Sequence, residues 1–256
     1  MRICVFDTET TSIDKPFVYN IGWVIYDTDT KSILNTADYV VEQIWHNREL
    51  FTTAYYADKR EKYIKDMRGK KVRMEKLGYI TQTMCRVFKA YEVELAVAYN
   101  SSFDVRVFDF NCEWFKVINP FDDMRVIDIR GMVHRAIAFT SKYQRFCEDN
   151  ALFTEHGNYS TTAESVYKYL TADTEFIEEH TALADALIEL DILKHCCREC
   201  GCEWDKDYKV YRSIPRSGEK VLSVKTTEGE VVEFPYSAIT IHKEKDRKTK
   251  VYLRKK

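Results

Sequence analysis

The 256 residues carry 45% hydrophobic and 14% aromatic side chains, enough to bury a sizeable core, which excludes a globally disordered chain. A formal net charge of −2 excludes a general electrostatic pull toward nucleic acid or anionic lipid, although an enzyme that meets phosphates through bound cations can stay acidic overall. Four prolines leave no Pro-rich linker, the eight cysteines lack the density of a secreted disulfide framework, and no run nears the roughly 20 apolar residues of a membrane span.

The opening apolar run is cut by Asp7 and is too short for a signal peptide, so a soluble cytoplasmic protein is expected. Residues 2–6 read as a central strand, 17–27 as a second and 32–42 as a third, with a turn at 27–31 between the last two. Three strands in hairpin succession predict a mixed sheet with an antiparallel edge. Residues 47–90 show helical spacing, broken at Gly69, through Leu50, Ala54, Ile64, Met67, Met74, Leu77, Ile80 and Met84. A strand at 94–99, a helix at 102–115 capped by Ser101 or Ser102, and a fifth strand at 125–129 follow. Helical stretches are expected near 130–139, 141–149 and 161–170. A last helix runs from Thr181 to Cys197, with Leu183, Leu187, Leu190 and Leu193 as its apolar stripe. Beyond residue 204 the pattern changes. Short β-rich segments at 208–214, 219–227, 230–236, 238–243 and 249–254 predict a small basic appendage, giving a main unit over 1–204 and an appendage over 205–256.

Three acidic motifs stand in order. In Phe6-Asp7-Thr8-Glu9-Thr10-Thr11, residues two apart on a strand share a face, so Asp7 and Glu9 can converge on one ion at the strand's end. In Asn100-Ser101-Ser102-Phe103-Asp104, the aspartate falls in the first turn of a helix. In His180-Thr181-Ala182-Leu183-Ala184-Asp185, the two functional residues would sit about 140° apart on a continuous helix. They can meet only if His180 lies in the loop before it. Taken singly, each has a plain structural explanation: a polar strand exit, a helix-dipole aspartate, a loop histidine.

Together, the three motifs resemble the DEDDh exonucleases, relatives of polymerase proofreading exonucleases, ribonuclease T and oligoribonuclease. Ile21-Gly22 and Ala184-Asp185-Ala186 are companions of the same kind, and the resemblance covers about residues 1–197. It implies an α/β fold: a ribonuclease-H-like mixed five-stranded sheet flanked by helices. It also implies two Mg²⁺ or Mn²⁺ ions held by Asp7, Glu9, Asp104 and Asp185, with Asp7 bridging both and His180 as general base. Two hard cations suit phosphodiester cleavage because one can activate water while the other neutralises the departing oxygen. A neutral imidazole can take the water's proton. On the substrate side the resemblance points to Thr10, Thr11, Ser12, Asn100 and Phe103, although Phe103 is either a core anchor or a stacking surface. Two departures occur: Ser12 stands where glycine is common, and Asn20 where glutamate often precedes the Ile-Gly pair.

The expected function is a 3′→5′ exonuclease acting on single-stranded or frayed DNA ends. An exoribonuclease using the same cage is the alternative, and a non-catalytic nucleic-acid adaptor on the same fold a second. The partner is nucleic acid with a free 3′ end, and no membrane. A homodimer or a replication or repair partner stays open, since nothing in the sequence marks an interface. Three further features are ambiguous. The basic run at 59–76, preceded by Tyr55 and Tyr56, is either a backbone-tracking surface or a solvated face. The basic tail (Lys243, Lys245, Arg247, Lys248, Lys250, Arg254, Lys255, Lys256) adds grip or solubility. The thiols of Cys196, Cys197, Cys200 and Cys202 are read as idle rather than zinc-binding, since no second Cys-x-x-Cys pair accompanies them.

Overall fold

The computed structural model describes residues 1–52, 54, 57–216 and the strands 221–225, 231–235, 239–243 and 249–253. Its centre is the strand Arg2–Thr10 (β1), which is apolar on both sides, as a strand sandwiched between two layers must be. Ile3 and Val5 enter one buried cluster, Cys4 and Phe6 the other. β1 pairs antiparallel with Val18–Asp27 (β2), which pairs antiparallel with Ser32–Val41 (β3). Between β2 and β3 the Asp27 carboxylate accepts the amides of Asp29 and Thr30, and Lys31 takes a left-handed φ of 58°. After the short helices Glu42–Trp45 (α1) and Arg48–Thr52 (α2) and the helix Arg60–Arg68 (α3), the strand Arg73–Glu75 (β4) runs parallel to β3.

The sheet therefore has six strands and not the expected five, and Met74 belongs to this edge strand and not to a helix. Leu77–Ala90 (α4) leads to Leu95–Ala98 (β5), parallel to β1. Ser102–Phe115 (α5) leads to Val126–Asp128 (β6), parallel to β5, so the order is β4-β3-β2-β1-β5-β6. The rest of the main unit is helical: Ile129–Val133 (α6), a π-helical turn at His134–Ala138, Ser141–Asp149 (α7), Ala163–Thr171 (α8) and Ala182–Arg198 (α9).

Helices α1 to α5 cover one face of the sheet and α6 to α9 the other, a three-layer α/β/α sandwich. On the first face Phe6 stacks on Phe121 (centroids 4.3 Å apart) and Phe108 meets Phe121 edge-on (4.7 Å), contacts worth about 0.5–1.5 kcal/mol each beyond the area they bury. Thr140 and Thr162 cap α7 and α8, and Asp128 caps α6. Ser101 does not cap α5: its backbone is already helical and its side chain accepts no cap bond.

The segment 208–214, expected as a strand, contributes only a bridge from Ile214 to Tyr159. It runs irregularly along the α6 side, where the Tyr208 carbonyl lies against Gly131 and the Tyr211 amide donates to His134 Nδ1 (2.9 Å). Further on, Val221–Lys225 (β7) pairs antiparallel with Val231–Pro235 (β8), and Ile239–Lys243 (β9) with Thr249–Leu253 (β10). Tyr55, Tyr56, Lys245, Arg247, Lys248, Arg254, Lys255 and Lys256, singled out in the sequence, lie outside the described residues. No described helix is long and apolar enough to cross a membrane.

Candidate metal and catalytic centre

Asp7 and Glu9 continue the Ile3–Val5 face of β1, the face that α9 covers, while Thr8 points to the α5 side. A bulge between Glu9 and Thr10 ends the regular pairing there, a device that re-aims side chains at strand ends. Opposite Asp7 stands Gly22, and a Cβ on it would lie 2.2 Å from the Leu183 amide nitrogen. The first turn of α9 thus rests directly on the β2 backbone, which brings Asp185 to the carboxylates of β1.

Opposite Glu9 is Asn20, the position where sequence departed from the resemblance. Its amide nitrogen donates to Asp38 (2.5 Å) and to the Tyr39 carbonyl, while its oxygen accepts from Tyr63 Oη and from the Ala182 amide (both 2.8 Å). Asn20 pins the start of α9 to the sheet. The departure is compensated locally.

Asp104 arrives from the other side. β5 ends, Asn100 turns the chain with a left-handed φ of 62°, and Asp104 falls in the first turn of α5, 3% exposed, accepting from Thr8 Oγ1 (2.6 Å). His180 lies in the loop before α9 with φ at 50°, its Nδ1 3.7 Å from Glu178 and 4.0 Å from Asp185. Lys59 donates from Nζ to the Glu179 carbonyl, and Lys62 pairs with the Glu179 carboxylate at 3.2 Å, so the start of α3 fastens this loop.

Ligand atoms of Glu9, His180 and Asp185 all lie within 4.8 Å of one another. Asp7 and Asp104 stand outside that set yet close enough for charge coupling. Burial raises the Asp7 carboxyl well above its ordinary range, with Asp104, Glu189, Glu9 and Asp185 adding repulsion. Glu9, Asp104 and Asp185 are likewise raised, by burial first; Glu178 adds repulsion at Asp185, and Lys59 offsets part of the shift at Glu9 and Asp185. His180 is lowered by burial and by Lys59, so its imidazole is neutral at pH 7. One carboxylate oxygen stands out: Asp185 Oδ1 is buried and has no hydrogen-bond partner among the described residues. Buried acidic oxygens with one unsatisfied lone-pair set fit a hard divalent cation, which prefers such donors.

Two residues of this centre, Glu189 and Glu178, were not singled out in the sequence, and Lys59 entered there only as the start of the basic run at 59–76. Glu189, 3% exposed, follows Asp185 by one helical turn and accepts the Tyr99 amide (3.1 Å), tying α9 to the end of β5. The four-residue spacing from Asp185 was the available signal. Glu178 and Lys59 reach the site from loop and turn, where spacing carries no information. With Glu164 and His180, Glu178 forms a second acidic group, and burial raises it to about 7. On the substrate side, Thr10 Oγ1 donates to the Ser12 carbonyl and Ser12 Oγ to the Lys15 carbonyl, so both hydroxyls close their own turn. Thr11 is buried. Phe103 is half-buried against the core with the Arg106 guanidinium 5.4 Å above its ring. All eight cysteines are free, and among the described residues none joins a metal-ligating group.

No protein-family model matches the chain, and no curated protein matches it. Solved structures do. Cell-death related nuclease 4 (CRN-4) superposes with a TM-score of 0.50 at 12% identity over 78% of this chain and 64% of that one. The nuclease domain of 3'hExo, described as a DEDDh family member bound to rAMP, gives 0.48 at 12% identity over 83% and 97%. E. coli Exonuclease I with a dA16 oligonucleotide gives 0.46 at 15% identity over 78% and 41%. The match to CRN-4 establishes the fold: this chain has the ribonuclease-H-like α/β architecture.

Proposed function

We propose that the chain is a DEDDh-type 3′→5′ exonuclease that hydrolyses DNA from its free 3′ end. The observation that carries this reading is the orphaned Asp185 Oδ1, facing a set of buried carboxylates that repel one another, beside a neutral histidine. Such a set is electrostatically unfavourable without positive charge, and divalent cations supply it. Polarity rests on the motif resemblance, which DNA- and RNA-directed members share, and the test below separates the two substrates.

Asp7, Glu9, Asp104 and Asp185 would hold the cations. When bound, these supply Lewis acidity and activated water. The chain's own part is positional. The Gly22 contact and the Asn20 bonds fix α9 so that Asp185 faces β1, and Thr8 orients Asp104. His180, held by its loop, takes the proton of the attacking water. Lys59 keeps positive charge beside Glu9 and Asp185.

The test uses DNA and RNA oligonucleotides labelled at either end, with Mg²⁺, with Mn²⁺ and with EDTA. The expected outcome is stepwise loss from the 3′ end of DNA, dependent on the cation. Preferential shortening of RNA would move the substrate to RNA. No shortening with manganese present would leave a binding module and end the enzymatic reading.

A further inference from the structure

A cavity of about 290 Å³ opens on the far side of the Tyr99–Asn100 turn, lined by Tyr99, Asn100, Arg130, Thr154, Thr161 and Thr162. It is joined to the carboxylate centre through the Tyr99–Asn100 turn. The Tyr99 amide is held by Glu189, and Asn100 lies four residues before Asp104. Its volume is at the small end of ligand pockets, about what one nucleotide unit needs.

Among the described residues Arg130 is the only cation lining it, and it is unusual. Its Nε is buried with no hydrogen-bond partner, and its guanidinium forms no hydrogen bond or ion pair among the described residues. Asp128, whose carboxyl feels this charge, is committed elsewhere: its Oδ1 accepts the amides of Asn100 (2.9 Å) and Arg130 (2.8 Å). A half-buried guanidinium without an acceptor is costly, and its planar fork matches phosphate oxygens. The other walls offer hydroxyls and an amide side chain. Thr162 begins α8, so the first-turn amides of that helix lie at the cavity as well.

We propose that this cavity binds a backbone phosphate of the substrate strand, on the 5′ side of the bond being cut, with Arg130 as its counter-ion. The inference rests on the exonuclease reading and deepens it. One phosphate is taken at the carboxylate centre and a neighbouring one at Arg130, which sets the strand's register without reading its bases. Arg130 is a binding residue in this proposal, with no part in the chemical step. Its loss raises KM and leaves kcat nearly unchanged, the mark of binding felt equally in ground and transition states.

The experiment follows removal of the first nucleotide from a 5′-labelled DNA oligonucleotide with Mn²⁺. A single uncharged methylphosphonate is placed in turn at each of the linkages near the 3′ end, using the wild type, Arg130→Gln and Arg130→Lys. In the wild type, one linkage 5′ of the scissile bond should lower kcat/KM by about tenfold, as expected for losing one charge-assisted contact. R130Q should lose about the same with unmodified DNA and become insensitive at that linkage, while R130K keeps part of the effect. Wild-type rates indifferent to every linkage, or R130Q losses that multiply with each methylphosphonate, would overturn the proposal. So would an R130Q enzyme with normal oligonucleotide kinetics but weaker inhibition by a nucleoside 5′-monophosphate, since the cavity would then hold product. If R130Q does not fold, the wild-type linkage scan alone decides. A wild type that removes no nucleotide brings down the exonuclease reading itself, and a wild type that cuts with no sensitive linkage brings down only the Arg130 site.

Discussion

His180 occupies a left-handed backbone conformation that costs a non-glycine residue about 1–2 kcal/mol, so its loop is held in place by its surroundings. The Lys59 bond to the Glu179 carbonyl and the Asn20 bond to the Ala182 amide bracket it on either side. His180→Ala is therefore expected to fold normally and to bind Mn²⁺ and DNA as the wild type does, with kcat reduced about 10²–10⁴-fold. Calorimetric metal titration beside single-turnover rates would check this, and a wild-type kcat would remove histidine from the mechanism. Asp185 makes the opposite trade. Asp185→Asn should abolish turnover, yet stabilise the EDTA-treated protein at pH 8 by at least on the order of 1 kcal/mol, because Asp185, raised to about 9, must take up a proton on folding that the amide does not need. Denaturant unfolding in EDTA measures it; a destabilised variant would mean that the carboxylate already has a stabilising partner.

At the level of elements, the close approach of α9 to β2 sets the geometry. Gly22 leaves 2.2 Å between a would-be Cβ and the Leu183 nitrogen, so Gly22→Ala must push the helix outward. We expect a cost of about 1–3 kcal/mol or more, together with a loss of kcat at temperatures where the variant is still fully folded. Full activity in a folded G22A protein would show that Asp185 tolerates the shift. The same elements show what sequence can and cannot convey. β1 and β2 are legible because strands buried on both faces are nearly continuous apolar runs. β4 is not legible. It has three residues, Arg73, Met74 and Glu75, joined to β3 by backbone pairing and by the Arg73 guanidinium over the Tyr39 ring, and Met74 fits a helical stripe as well as it fits an edge strand. The motif carboxylates could be found because strand period and helix start constrain them. Glu189 offered only its four-residue spacing from Asp185, since a glutamate on a helix ordinarily faces water and the packing of α9 onto the sheet buries it. Arg130 is invisible for a related reason: which of many basic residues faces a cavity is decided by tertiary structure.

On the scale of the whole molecule, the buried acidic centre couples stability to pH and to metal. The raised carboxyl values, about 7 for Glu9 and Asp104 and about 9 for Asp185, mean that the folded metal-free protein retains protons which the unfolded chain has already released. Stability from this source is complete below about pH 4, the unfolded carboxyl range, and is lost as pH rises through those values. Divalent cations require the deprotonated form, so they stabilise more at higher pH. Melting temperatures in EDTA and in Mn²⁺ should therefore diverge steadily between about pH 6 and pH 9. Parallel curves would mean that the cluster does not bind the ion.

The centre draws on both ends of the folding unit, from Asp7 on the first strand to Asp185 on the last helix, with α9 docked through Gly22, Asn20 and Glu189. Every strand of the main sheet is complete by residue 128. A polypeptide still emerging from the ribosome can thus assemble its sheet while one wall of the acidic pocket is missing. The acidic centre is therefore incomplete until α9 docks, and whatever chemistry it performs waits on that last step.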